Sequence, residues 1–403
     1  MVRAAVIVLI ISGSALAITT AFSIAIRTRI EVTARRLGPY RAAASAALTQ
    51  HLAGAVSDPP PRPRGRFQQT VMRELMLSVA ANIRGEAADQ LAALFRAYRL
   101  VEPARVDLNA RRPLTRIRAA EALGAMGVQE AVPWLRDGLA HEDHELRFAC
   151  ARSLSVLGAT SAVADVDAAL SETASELSEC IDVLLHFGRV AIPLLIGHLN
   201  AAPDRGARWL AAEALGELGA LQAVPALRAS VDAADDELAA RAARALGRIG
   251  DRAATDTLAR ALTSQRPWFV RAAATRALGA LEDPAAADLL VWALAADQWD
   301  VRDAAARALA AFGDAGVAAV TRHLDTLSDE AVAHFAGSCD MAGELDRLAT
   351  RAATGNAGCD AVIRRAHLAG VTAALERLTS ENGARGRYAA EVLSRAPGGA
   401  AGC

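Results

Sequence analysis

The run His141-Glu142-Asp143-His144 places four possible metal ligands in succession. A metal centre needs a complete, convergent ligand set. These four fall between two helical stretches, where polar residues are ordinary. The expectation is a loop, with no metal and no cofactor. The cysteines, Cys150, Cys180, Cys339, Cys359 and Cys403, form no Cys-x-x-Cys pair and no zinc-ligand spacing. They read as thiols of a reducing compartment. All 44 basic residues are arginine, so no GxxxxGK phosphate loop exists. No GxSxG nucleophile elbow occurs either. Catalytic residues are expected to be absent, and the chain is not expected to be an enzyme.

Tryptophan and arginine offer binding instead of catalysis. Trp268 and Trp299 each stand three residues before a recurring arginine, Arg271 or Arg302. Trp292 lies in a helical stretch whose inward residues are Ala287, Leu290 and Leu294, which turns the indole to the opposite face. The equivalent residues of the neighbouring stretches are Arg260 and Arg322. Tryptophan flanked by arginine is the composition of an interface hot spot. The expected binding site is therefore Trp292, Arg260, Arg322, Trp268 and Trp299, facing a partner protein.

The elements that carry these residues recur. Leucine returns at Leu123, Leu154, Leu184, Leu215, Leu246, Leu278 and Leu309, at spacings of 30 to 32 residues. Four residues later stand Gly127, Gly158, Gly188, Gly219, Gly250, Glu282 and Gly313. Seven residues earlier, five of the seven units have arginine: Arg116, Arg147, Arg208, Arg271 and Arg302. These arginines start each first helix and are expected to pair with acids of the adjoining unit, such as Asp300 or Glu145. Four residues before the leucine every residue is small (Ala119, Cys150, Cys180, Ala211, Ala242, Ala274, Ala305), which lets helices approach closely. A stretch such as RWLAAEALGEL keeps helical periodicity, and the glycine after it can end the helix in the left-handed conformation. Aspartate then opens the next turn, and a second helix follows, as in QAVPALRASV. One such αα-hairpin cannot bury both faces, so the units must stack.

The unit, written RWLAAEALGELGALQAVPALRASV (208–231) or VRDAAARALAAFGDAGVAAVTRHL (301–324), resembles the HEAT-like repeat of the phycobilisome-lyase type. The resemblance covers residues 114–326. It implies an all-α solenoid, a right-handed superhelix of antiparallel helix pairs used mostly as a protein-binding scaffold. One branch of the superfamily, resembling deoxyhypusine hydroxylase, binds two irons through several His-Glu pairs. Here such pairs occur only in the run at 141–145, so a di-metal enzyme is not expected. Bilin lyase activity has only the family name behind it. A lyase-like or metal-dependent enzyme stays the alternative, tested by metal analysis and by colour with bilin.

The ends differ from the array. Ala4–Ile26 holds 23 residues without a charge, enough to cross a bilayer core of ~30 Å. Arg27, Arg29, Arg35, Arg36 and Arg41 follow it, which sets the body on the cytoplasmic side. The rival is a signal peptide cut after Ala15-Leu16-Ala17, with a periplasmic scaffold as the result. Residues 1–66 carry nine arginines against two acids, and the rest 35 against 43. The acidic body argues against nonspecific nucleic-acid binding. The expected order is an anchor at 1–30, a basic helix and proline-rich linker at 31–65, and a helical cap at 66–113. Seven repeats at 114–326, divergent helices at 327–396 and a flexible tail at 397–403 complete it. Ser57–Gly65, with three consecutive prolines, is read as a stiff polyproline spacer.

Overall fold

In the structure, a computed structural model, residues 38–170, 174–380 and 383–394 are described, and every regular element among them is helical. The expected anchor at 4–26, its cleavage alternative, the tail at 397–403 and Cys403 lie outside the described residues. The chain divides into two units, Met1–Leu170 and Ser171–Cys403.

The first unit starts with α1 (38–52), α2 (Gly65–Ala80), α3 (Glu86–Ala97) and α4 (Val101–Asp107). Two helix pairs follow: α5 (Pro113–Ala125) with α6 (Val132–Gly138), and α7 (His144–Val156) with α8 (Val163–Leu170). The proline segment between α1 and α2 is held to this unit. Pro60 is buried, and its carbonyl accepts a hydrogen bond from the Tyr98 hydroxyl. The Tyr40 hydroxyl reaches the Pro61 carbonyl at 3.4 Å. Polyproline backbone has no internal hydrogen bonds, so its carbonyls are open to such donors. The stiff segment expected at Ser57–Gly65 is thus also tied to the body of this unit.

The second unit repeats the pair. It contains α9 (Ala174–Phe187) and α10 (Ile192–Ala201), α11 (Arg205–Glu217) and α12 (Val224–Asp232), α13 (Asp236–Ile249) and α14 (Thr255–Thr263). Then come α15 (Trp268–Ala280) and α16 (Ala287–Leu294), α17 (Trp299–Ala311) and α18 (Asp314–Arg322), α19 (Asp329–Met341) and α20 (Leu345–Ala353). The unit closes with α21 (Ala357–Leu368), α22 (Ala373–Thr379) and α23 (Ala384–Ser394). The most apolar stretch of membrane-spanning length among the described residues, Glu179–Ala201, has a mean hydropathy of 1.7. It is the α9–α10 pair, interrupted by the 3-10 turn Gly188–Ala191, so neither half has the ~20 residues a helical span needs.

The α13–α14 pair shows why these residues take this form. The Asp235 carboxylate accepts the N–H groups of Glu237 and Leu238, which opens α13, and two acids occupy the first turn. Gly250 ends the helix at φ 76°, in the left-handed region that costs glycine nothing. Asp251 then caps the 3-10 turn Arg252–Ala254 that leads into α14. All seven repeat leucines are fully buried. The residues four positions later all have positive φ, the six glycines between 55° and 76° and Glu282 at 49°. The same arrangement runs on into α19, where fully buried Cys339 takes the leucine's place and Gly343 ends the turn at φ 74°.

Stacking of the first helices depends on a second set of glycines, one residue after the leucine. A Cβ on Gly216 would stand 2.8 Å from the Ala245 Cα, and one on Gly247 2.9 Å from the Ala277 Cα. On Gly279 it would stand 2.5 Å from the Ala308 Cβ. In the first unit Gly124 meets Ser153 in the same way, and the Ser153 hydroxyl donates to the Ala120 carbonyl at 2.9 Å. The recurring Ala-Leu-Gly triplet is thus an inter-repeat contact, with glycine of one first helix against a small residue of the next.

Candidate protein-interaction surface

Each of the expected site residues lies in the second unit, and three of them share one feature. Trp268, Trp292 and Trp299 are exposed to 49, 50 and 55%. Trp268 and Trp299 are the first residues of α15 and α17. Trp292 stands one turn before the loop that leads into Trp299. All three therefore gather where second helices end and first helices begin, on one edge of the α15–α17 repeats.

The stacking contacts explain why these indoles stay outside the core. Helix α16 buries Ala287, Leu290, Val291, Ala293 and Leu294, which leaves Trp292 on its solvent side. Trp268 meets Phe269 edge-on at 6.0 Å. Trp299 lies 5.9 Å from the His334 ring, whose Nε2 is 3.5 Å from the Asp303 carboxylate. Asp303 is nearly buried and also binds Arg307 at 3.1 Å. The other two tryptophans serve the fold. The Trp134 ring carries the Arg105 guanidinium at 5.5 Å. The Trp209 ring has the Arg205 and Arg241 guanidinium groups over it at 5.9 and 5.3 Å, and its indole N–H donates to Asp235. Among the described residues no guanidinium covers the face of Trp268, Trp292 or Trp299.

The two expected arginines take different places. Arg322 binds Asp288 of α16 at 2.8 Å, one turn before Trp292, and His323 approaches the same carboxylate at 3.3 Å. Arg260 instead turns to Asp232 at the end of α12, at 2.9 Å. Sequence position puts Arg260, Trp292 and Arg322 in one column. The ion pairs tie Arg322 to the Trp292 helix and draw Arg260 to the opposite neighbour.

The recurring arginines hold the repeats together. Arg302 donates through Nη1 to the Ala296 and Asp297 carbonyls and through Nη2 to Glu330. Arg116 reaches the Ala110 carbonyl and Asp143, and Arg147 reaches the His141 and Glu142 carbonyls. Arg271 binds the Gln298 side chain. Arg116, Arg147 and Arg302 thus gather carbonyls just after the preceding helix, and Arg116, Arg271 and Arg302 each bind a side chain from the next repeat. Acids of the next repeat do serve, Asp143 for Arg116 and Glu330 for Arg302, but the two expected by name, Asp300 and Glu145, do not. The His141 ring accepts the Asp143 N–H at 2.9 Å, a turn contact within the His141–His144 run. Burial pushes the Cys150 and Cys339 thiols up to about 12, which suits packing and not nucleophilic chemistry.

Comparison with known proteins comes to the same repeat. A family model described as HEAT repeats matches residues 101–184, 230–310 and 264–338. A second, described as PBS lyase HEAT-like repeat, matches 207–233. No curated protein sequence matches the chain. Among solved structures the chain is similar to an engineered protein, with 19% identity, 87% of this chain and 98% of that one covered, and a TM-score of 0.35. It is similar to human deoxyhypusine hydroxylase in complex with glycerol at 18% identity, covering 69% of this chain and 99% of that one, TM-score 0.28. It is also similar to the CpcE–CpcF complex of phycocyanin lyase from Nostoc sp. PCC7120, at 24% identity. There 60% of this chain and 94% of that one are covered, with a TM-score of 0.28.

Proposed function

We propose that this chain, which carries HEAT repeats, is a scaffold that holds a partner protein through the tryptophan-bearing edge of α15–α17. One observation supports it above the others: three half-exposed indoles on one edge, their faces not covered by arginine. A large aromatic left in water gains by desolvation against a partner, and tryptophan is the residue most enriched in hot spots. Arg322 borders the edge through its pair with Asp288; Arg260 stands further along the second-helix column. The recurring arginines are used by the fold, whereas the three indoles of this edge are not.

The scaffold is held at the cytoplasmic face of the inner membrane by the charge-free run 4–26 and its flanking arginines. The acidic body favours protein over nucleic acid as the partner.

Proximity labelling in the native cell compares the wild type with a Trp268→Ser/Trp292→Ser/Trp299→Ser variant. The expected result is loss of the main labelled proteins while the melting curve is kept. An unchanged labelled set from a folded variant removes this edge as the docking site. Recovery of the body in the membrane fraction with residues 1–17 retained is expected; a mature chain starting at Ile18 contradicts the anchor.

A further inference from the structure

We infer that the tryptophan edge takes a cationic segment of its partner, an extended stretch bearing arginine or lysine. The inference rests on the docking role just given to this edge and specifies its chemistry. Three observations carry it.

The first is the uncovered indole faces. Where a guanidinium is at hand in this protein it stacks on tryptophan, as Arg105 does at Trp134 and Arg205 and Arg241 do at Trp209. Trp268, Trp292 and Trp299 have the same ring chemistry without the cation. The face of an indole carries the negative lobe of its quadrupole and attracts a cation placed over it.

The second is spare negative charge beside Trp299. Asp297 is exposed and Asp300 half-exposed, two residues before and one after the indole. Neither carboxylate has an ion-pair partner among the described residues. Several acids at the neighbouring helix ends do: Asp232 with Arg260, Asp236 with Arg266, Asp288 with Arg322 and Glu330 with Arg302. Asp300 also lies in the first turn of α17, where a carboxylate favours the helix dipole. Asp297 stands outside the helix and has no such use.

The third is that the cations of this edge are occupied. The Arg302 guanidinium is bound to two loop carbonyls and Glu330, and Arg266 to Asp236 and the Ala233 carbonyl. An acidic partner would meet guanidinium groups already bound in the fold, Arg302 and Arg266 to acids and Arg271 to the Gln298 side chain, while a basic one finds open rings and open carboxylates.

The test uses two labelled ten-residue peptides, one alternating arginine and alanine, the other glutamate and alanine, titrated against the full chain by fluorescence anisotropy. The arginine peptide is expected to bind and to weaken as salt rises. Asp297→Asn should weaken it roughly threefold, and Trp299→Leu roughly fivefold. Thermal melts of both variants are expected to match the wild type, since neither side chain is buried. Equal binding of the arginine peptide by wild type and both variants overturns the inference, as does no binding at all. Binding of the glutamate peptide that Trp299→Leu abolishes overturns the cationic assignment and leaves the edge as a docking surface.

Discussion

Gly216→Ala adds one methyl group where the Ala245 Cα would lie 2.8 Å from the new Cβ. In an open helix the same change stabilises by roughly 1 kcal/mol, because alanine is the better helix former. Here the methyl must push α11 away from α13, and overpacking of that kind costs about 1–3 kcal/mol. The expected outcome is a destabilised protein, measured by urea melts; a stabilised one would show that the helices have room. Asp235 makes a second residue-scale case. The Arg205 guanidinium holds its carboxyl well below the usual carboxylate range, helped by the Leu238 N–H and the Trp209 indole and opposed by burial. A depressed carboxylate contributes stability above its unfolded value of about 4, and that stability is lost as pH falls through the folded one. Asp235→Asn keeps a capping oxygen and removes the charge. It should cost about 1–2 kcal/mol at neutral pH. Its melting temperature should converge on the wild type's as pH drops below about 4. A gap that stays constant with pH would contradict the assignment.

At the scale of elements, α15 ends on Glu282, the non-glycine among the seven repeat termini, at φ 49°. Arg252 donates to the Leu281 and Glu282 carbonyls there and helps hold the turn. Glu282→Gly should stabilise the protein by about 1 kcal/mol, since glycine adopts this conformation without steric cost. A loss of stability in calorimetry would mean that the glutamate side chain does something the backbone does not reveal. The helix ends were legible in the sequence because leucine and glycine recur in one register. The loop carbonyls that the recurring arginines bind were not, because spacing gives the helix a side chain leaves and not the carbonyls it folds back to. The glycines after the leucines were visible as letters. Their purpose appears only when α13 is laid against α11. The proline segment shows the same limit: three prolines exclude a helix, but nothing local announces that Tyr40 and Tyr98 will bind their carbonyls.

At the scale of the molecule, a chain built of 53% hydrophobic but only 4% aromatic residues packs its repeats with alanine and leucine. Tryptophan is then conspicuous where it is not needed for packing. The sequence picked out all three exposed indoles, Trp292 by helical periodicity and Trp268 and Trp299 by their place just before a recurring arginine. It could not separate Trp209 from them by type; Arg205 of its own helix meets Arg241 and Asp235 of α13 and its cap at that ring. The central claim is that the Trp268–Trp292–Trp299 edge is where a partner docks. The most direct measurement replaces Trp292 by a photo-crosslinking benzoylphenylalanine in the native cell. The control places the same group at Arg276, exposed on first helix α15. The account predicts a discrete crosslinked product from position 292 and none from 276. Crosslinking from 276 alone, with a folded and silent 292 variant, would contradict it.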